Sequence, residues 1–453
     1  MISGRHFTRI AFITGLILAY YLGYLRGSGI LTEMQLRALL IFIATYFLIA
    51  TEVRQENVVT LSAIVMIWLL GIMEPKDMVR YVDLQTLGIL FGMMVVVGAL
   101  QEAGFYDYIG YRIRSSLGGQ PDMAFWAIIF LTYLLSAFLP NITAVMFTVP
   151  LLFSTCKMYG EDPPFMLTAM IIAANAGGFA TLVGDPPNMM IASKTGFTFR
   201  DFMLNTFPIS VVSMIGSIFF LKFIYGRFVR REEAFPQISE EEEEEFQIKD
   251  RRFFYLSLAA FLASMIAFTI SDKLGLTPAE VALFTAVFLM AVGGEKMSRI
   301  LENVQWDILL FVASIFVVVG ALEYTGLLKL VSSAILPLLE ANPQLSISLI
   351  LWIAALGSAV IPNIPFAAVM TPLLAGITPH LSPNVSNALW WSLATGLALG
   401  GNFTPISAAP NVVALSIAER YGIRMNFKEF MRIALPPALV AVTTANLYLV
   451  AAY

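Results

Sequence analysis

Most of this chain is written as apolar runs of about 17–25 residues, the length an α-helix needs to cross the hydrocarbon core of a bilayer. The runs fall near 7–25, 34–51, 58–75, 84–104, 164–195, 206–225, 252–271, 278–295, 303–325, 384–420 and 427–451. Inside lipid every backbone N–H and C=O must be satisfied within the protein, and runs of this length meet that demand as helices. Composition agrees: 58% of the residues are hydrophobic and 13% charged, too little polar surface to clothe a soluble body of 453 residues. The expected fold class is an all-α integral membrane protein with about eleven transmembrane helices.

Two further apolar stretches, 121–158 and 343–378, carry Pro140-Asn141 and Pro362-Asn363 at their midpoints and read as paired half-length helices. The runs 164–195 and 384–420 are too long for one simple helix, and each holds a Gly/Pro-rich break. Segments 105–117, 197–205 and 326–339 read as amphipathic and interfacial. The first run follows Arg5 and Arg9 and is expected to be a retained helix rather than a cleaved signal peptide.

The chain contains a copy of itself. Val95-Val-Val-Gly-Ala-Leu100 recurs as Val317-Val-Val-Gly-Ala-Leu322, Pro140-Asn141 as Pro362-Asn363, and Pro150-Leu151-Leu152 as Pro372-Leu373-Leu374. One residue of slippage later, Gly177-Gly-Phe-Ala-Thr-Leu-Val-Gly-Asp-Pro-Pro-Asn188 aligns with Gly400-Gly-Asn-Phe-Thr-Pro-Ile-Ser-Ala-Ala-Pro-Asn411. Equivalent points are separated by an odd number of spans, so the halves are expected to be inverted, the plan of secondary transporters with a site near the bilayer midplane. The organisation expected is a first helix in 1–33, repeat 1 in 34–227 (re-entrant hairpin 121–158, broken helix 164–195) and repeat 2 in 251–453 (hairpin 343–378, broken helix 384–420). Between them lies an acidic linker, 228–250, with Glu240–Glu245. Lys222, Arg227, Arg230, Arg231, Lys249, Arg251 and Arg252 cluster around that linker, which places it in the cytoplasm, the N-terminus inside and the C-terminus outside.

Other chemistries have little to build on. Net charge is −4 without a basic patch, so nucleic acid is not an expected partner. Cys156 is the single cysteine, and His6 and His380 lie far apart, which leaves no cofactor or metal centre to expect. HExxH and GxSxG are absent, so an enzyme is not expected.

Chemistry is expected where the helices break. Freed backbone groups are tolerated only inside protein or against a wet cavity, and a helix start there presents partial positive charge. Asn141, Thr143, Thr181, Asn188, Asn363, Asn402, Thr404, Ser407 and Asn411 collect at the breaks as candidate substrate or ion ligands. The competing reading of any one of them is that it merely satisfies the broken backbone. Asp185 is the one acid placed deep in the membrane, either an N-cap before Pro186-Pro187 or a site for a proton or Na+, the latter near Asn141, Asp185 and Asn188. No Lys or Arg falls near the breaks, so an anion would be held by helix ends, amides and a co-bound cation. The Gly88-x-x-x-Gly92 and Gly396-x-x-x-Gly400 pairs read as helix-packing surfaces.

The segment Gly177-Gly-x-x-Thr-x-x-Gly-Asp-Pro-Pro-Asn188 closely resembles a signature of the melanosomal P-protein group within the ArsB/NhaD permeases. Gly400-Gly-Asn-x-Thr-x-Ile, Pro410-Asn-Val-Val413 with Ala418-Glu419, and Asn363-Ile-Pro-Phe366 resemble second-half counterparts, and the resemblance runs from about residue 34 to the C-terminus. It implies the fold of the wider ion-transporter superfamily, which includes citrate–metal and divalent-anion/Na+ symporters. A homodimer and elevator-type alternating access are further implications. The sequence departs from the pattern at Pro140 and Pro362, where an acid often precedes the hairpin asparagine, so Asp185 becomes the expected coupling carboxylate.

The functional expectation is a secondary transporter of a small ion, an anion or small oxyacid such as arsenite being favoured, driven by a H+ or Na+ gradient in a prokaryotic cytoplasmic membrane. A Na+/H+ antiporter is the close rival; an intramembrane enzyme and a channel are distant ones.

Overall fold

The computed structural model describes residues 29–51, 54–116, 121–159, 162–225, 248, 250–302 and 304–453. The expected helix at 7–25 lies outside the described residues, as does nearly all of the acidic linker with Glu240–Glu245. The described chain is helical, with no strand among the described residues. In order it forms α1 (Glu33–Ala50), α2 (Glu56–Leu69), α3 (Leu84–Glu102), α4 (Phe105–Ser116), α5 (Pro121–Phe138), α6 (Asn141–Tyr159), α7 (Pro163–Gly178) and α8 (Pro186–Thr195). There follow α9 (Phe199–Tyr225), α10 (Arg251–Leu274), α11 (Pro278–Gly293), α12 (Met297–Glu302), α13 (Trp306–Tyr324) and α14 (Leu327–Ala341). The chain closes with α15 (Pro343–Val360), α16 (Asn363–Ile377), α17 (Pro383–Gly400), α18 (Ala409–Arg420) and α19 (Phe427–Ala452).

Eight helices among the described residues are long and apolar enough to cross a membrane: Glu33–Ala50, Leu84–Glu102, Phe199–Tyr225, Arg251–Leu274, Pro278–Glu302, Trp306–Tyr324, Pro343–Val360 and Phe427–Ala452. The protein is an all-α integral membrane protein.

Two boundaries differ from the sequence reading. The segment 197–205, expected to lie apart as an interfacial piece, is instead continuous with the next span from Phe199 onward, and Pro208 is accommodated inside that helix. Thr198 and Asp201 start it with reciprocal bonds: Thr198 N donates to Asp201 Oδ2 at 2.8 Å and Asp201 N to Thr198 Oγ1 at 3.2 Å. The run 58–75 becomes the shorter α2, because the chain leaves the helix after Leu69 and turns through Gly71 before Pro75.

The chain divides into two compact units. The first comprises the described residues within 29–82 and 313–331; within it Gln35 Nε2 donates to Thr325 O at 3.0 Å, and the Tyr81 ring packs on the bare Cα of Gly320. The second unit, the described residues within 83–312 and 332–453, holds every residue singled out above as a candidate ligand. Its helices approach closely through small residues, as lipid-embedded packing requires. A Cβ added to Gly92 of α3 would lie 2.6 Å from the Ala282 carbonyl carbon of α11, so these backbones touch only because that position is glycine. Gly396 and Gly400 of α17 meet Leu351, Ala354 and Ala355 of α15 in the same way.

Candidate functional site: four helix starts around Asp185

The break between α7 and α8 is braced by its own side chains. Asn188 Nδ2 donates to Gly178 O at 3.1 Å and to Thr181 O at 2.7 Å, while Thr181 Oγ1 donates to Ala137 O of α5. Ser136 Oγ, against Ala174 O at 2.6 Å, ties α5 to α7. The break between α17 and α18 repeats this bracing. Asn411 Nδ2 donates to Gly401 O at 2.6 Å and Thr404 O at 3.0 Å, Thr404 Oγ1 to Ala359 O at 2.9 Å, and Ser358 Oγ to Leu397 O at 2.7 Å. Ser407 Oγ adds bonds to Gly401 O at 2.6 Å and Thr404 O at 2.7 Å. The residues before the two second half-helices share one backbone conformation, φ −142°, ψ 140° at Asp185 and φ −143°, ψ 139° at Ala408. Unpaired backbone carbonyls at a buried break are costly, and the asparagines and threonines supply the missing donors.

One asparagine absent from the sequence reading joins the two breaks. Asn175, on α7, donates through Nδ2 to Asn402 Oδ1 at 2.8 Å and to Asn411 Oδ1 at 3.0 Å. Its signal was a polar residue in the apolar stretch Met170–Ala176, with no counterpart in the second half, where Ala398 occupies the aligned position.

Asp185 behaves differently from a structural cap. It stands at the N-cap of α8, yet its side chain makes no capping bond. Pro186 at the first helical position removes one donor that a cap would have satisfied. The carboxylate turns instead to the other repeat, where Oδ2 accepts from Asn363 Nδ2 at 2.8 Å. Asn363 is the first residue of α16, and its backbone N donates to Ser407 O at 3.3 Å. The pair is buried, Asp185 at 7% and Asn363 at 6% exposure. Asn141, the repeat counterpart of Asn363, accepts from Ser136 Oγ and lies over Gly178, where a Cβ would strike its amide.

A cavity of about 40 Å³ collects these groups. Its wall includes Pro140, Asn141 and Ile142 at the start of α6, Gly184, Asp185 and Pro186 at the start of α8, Asn363 and Ile364 at the start of α16, and Ala409 and Pro410 at the start of α18. Four helix N-termini therefore face one small space, each favouring negative charge by about 0.3–1 kcal/mol in ordinary settings. The space suits a water or a small ion, a single water occupying roughly 30 Å³ of liquid volume. Its wall contains no Lys or Arg among the described residues, and Asp185 is its one ionisable side chain.

The structure thus sorts the candidate ligands. Asn141, Asp185 and Asn363 line the small cavity. Thr181, Asn188, Asn402, Thr404, Ser407 and Asn411 stand behind it in the braces. Thr143 faces an adjoining cavity.

The sequence profile described as "Citrate transporter" matches residues 46–396. The chain belongs to the citrate transporter family. An uncharacterized transporter of Mycobacterium tuberculosis is 34% identical over 421 residues, covering 92% of this chain and 98% of that protein. The P protein of Mus musculus is 30% identical over 459 residues, covering 83% of this chain and 54% of its own length, so this chain spans about half of that longer relative. Among solved structures, the YdaH transporter of Alcanivorax borkumensis matches with TM-score 0.59 at 15% identity, over 83% of this chain and 86% of that one. MtrF of Neisseria gonorrhoeae matches with TM-score 0.52 at 11% identity, over 86% and 84%, and at these identities both show the fold alone. As a citrate transporter family member, the chain is a membrane transporter, and the segment matched by the family contains the Asp185 cavity's wall residues except Ala409 and Pro410.

Proposed function

We propose that this protein is a secondary active transporter of a small anion or oxyacid, coupled to a proton or Na+ gradient, with Asp185 as the coupling carboxylate. The observation that carries the proposal is the buried Asp185–Asn363 pair in a cavity faced by four helix starts and no basic side chain. Four N-termini favour one negative charge in that space, and the resident charge is the Asp185 carboxylate. An incoming anion competes with it for the same helix ends and is repelled by it. A proton or Na+ on Asp185 removes the repulsion, so anion and cation bind better together than apart. That mutual dependence is the thermodynamic content of symport. The finer ArsB/NhaD assignment, the N-in and C-out orientation, the homodimer and elevator-type alternating access belong to the same proposal. The family description supports the transport reading, and the P-protein relatives support the resemblance from which the finer assignment is drawn.

The cavity's size favours a small substrate in this conformation. A tricarboxylate such as citrate requires it to widen, whereas an arsenite- or chloride-sized solute fits with little rearrangement. The second reading, a Na+/H+ antiporter, is favoured by Asp185 being the one ionisable group in the cavity wall. Proteoliposome flux separates the two. Uptake of an anion from a panel of arsenite, phosphate, sulfate and citrate, driven by an inward Na+ or H+ gradient and lost in Asp185→Asn, supports symport. Na+-driven proton movement with no added anion supports antiport. Gradient-driven flux that is undiminished in Asp185→Asn defeats both.

A further inference from the structure

Beside the Asp185 cavity lies a wider one of about 340 Å³. The two share the wall residues Met94, Pro140 and Gln305, so a narrow partition separates them. Its polar lining is Gln101 of α3, Thr143 of α6, and Glu302, Gln305 and Asp307 at the turn between α12 and α13. No Lys or Arg lines it among the described residues. Arg299, one turn before Glu302, is held by Glu102 at 2.9 Å. Glu302 and Asp307 form no ion pair among the described residues.

Thr143 supplies an independent sign that this space takes a polar occupant. It is 9% exposed, yet its hydroxyl makes no hydrogen bond among the described residues. Threonines in a helix ordinarily return their hydroxyl to the carbonyl four residues back. Thr148 does so to Ala144 O at 2.9 Å and Thr155 to Leu151 O at 2.9 Å. Thr143 stands on the first turn of α6, and the residue four back, Leu139, precedes the helix. Its hydroxyl is left for whatever fills the cavity.

We propose, resting on the reading of Asp185 as coupling carboxylate, that this cavity is a cation antechamber. Glu302 and Asp307 gather a small hydrated cation, Na+ or hydronium, and Gln305 and Thr143 hand it toward Asp185. Low-dielectric walls lined by one sign of charge focus the field, which raises local counter-ion concentration by on the order of 10–10³-fold and depletes ions of the other sign. The anionic substrate is thereby kept from this approach.

The test needs no knowledge of the substrate. Thr143→Cys is made in the full chain, with the parent, whose Cys156 is buried, as the unlabelled control. Modification rates are measured with a trimethylammonium and a sulfonate methanethiosulfonate reagent, each divided by its rate on 2-mercaptoethanol. The expected corrected cation-to-anion ratio is about tenfold or more, falling toward one with added salt and in Glu302→Gln/Asp307→Asn. A ratio near one, a high ratio that survives loss of both carboxylates, or no labelling by either reagent overturns the antechamber. Gln101→Cys is the alternative reporter should Thr143→Cys fail to fold. Na+ replacing N-methylglucamine at constant ionic strength tells the two cations apart: slowed cationic labelling assigns Na+, and an unchanged high ratio assigns the proton. The ratio is also read in Asp185→Asn. A high ratio there with coupled flux lost upholds both inferences. Flux intact in Asp185→Asn defeats the coupling role, and a ratio near one in the Thr143→Cys parent defeats the antechamber.

Discussion

At the residue scale, most polar groups near the helix breaks are braces and one is free to act. Asn188 and Asn411 spend their amide donors on carbonyls of their own breaks, which is why the polar set was legible in sequence while its division of labour was not. Sequence spacing reveals that a break must be satisfied; which side chain turns inward depends on contacts across the fold. Asn175 illustrates the limit, because its partners Asn402 and Asn411 lie in the other half of the chain. Asn175→Ala removes both bonds and leaves buried acceptors unsatisfied. It should lower thermal stability in detergent by about 1–3 kcal/mol, read as a fall in unfolding temperature against wild type. Asn363→Ala deprives Asp185 of its hydrogen-bond donor. Its expected result is a weakened apparent affinity for the coupling ion in flux assays, at protein levels near wild type. Unchanged ion dependence would show that Asn363 does not serve the carboxylate.

At the element scale, the fold depends on how closely helices approach. The Gly88 and Gly92 pair was readable as a packing surface, and it presses α3 against Ala279 and Ala282 of α11. Gly92→Leu should cost at least about 1–3 kcal/mol through overpacking, seen as loss of monodisperse protein or a lowered unfolding temperature, whereas Gly110→Ala, with open space around it, should not. Gly178→Ala has a different expected effect. Its methyl group would displace the Asn141 amide from the cavity wall, so transport should fall more than stability does. The elements that sequence misjudged are those where hydropathy and helix continuity part company. Apolar character fades before Phe199, but the Thr198–Asp201 bonds nucleate a helix that carries straight on into lipid-length sequence.

At the scale of the whole molecule, the two breaks share their bracing pattern, and only the first carries a carboxylate. Asp185 and Ala408 share a backbone conformation, each before a proline-containing helix start, so the acid is a substitution on a common frame. If the frame is equivalent, Asp185→Ala should abolish gradient-driven uptake, and adding Ala408→Asp should restore part of it. Complete inactivity of a folded double variant would mean that the acid needs Asn363 specifically, which the bond between them already suggests as the competing outcome. The duplication itself was evident in the amino-acid order, since Pro-Asn and Gly-Gly-x-x-Thr pairs recur in register. The meeting of four helix starts was not, because it arises only when both halves fold against each other. The Asn175 clasp has a consequence for affinity. By tying the two broken helices together before any ion arrives, it leaves little conformational freedom to be lost on binding. Even a cavity of about 40 Å³, with few atoms to offer a ligand, can then hold one tightly, because its walls are already in place.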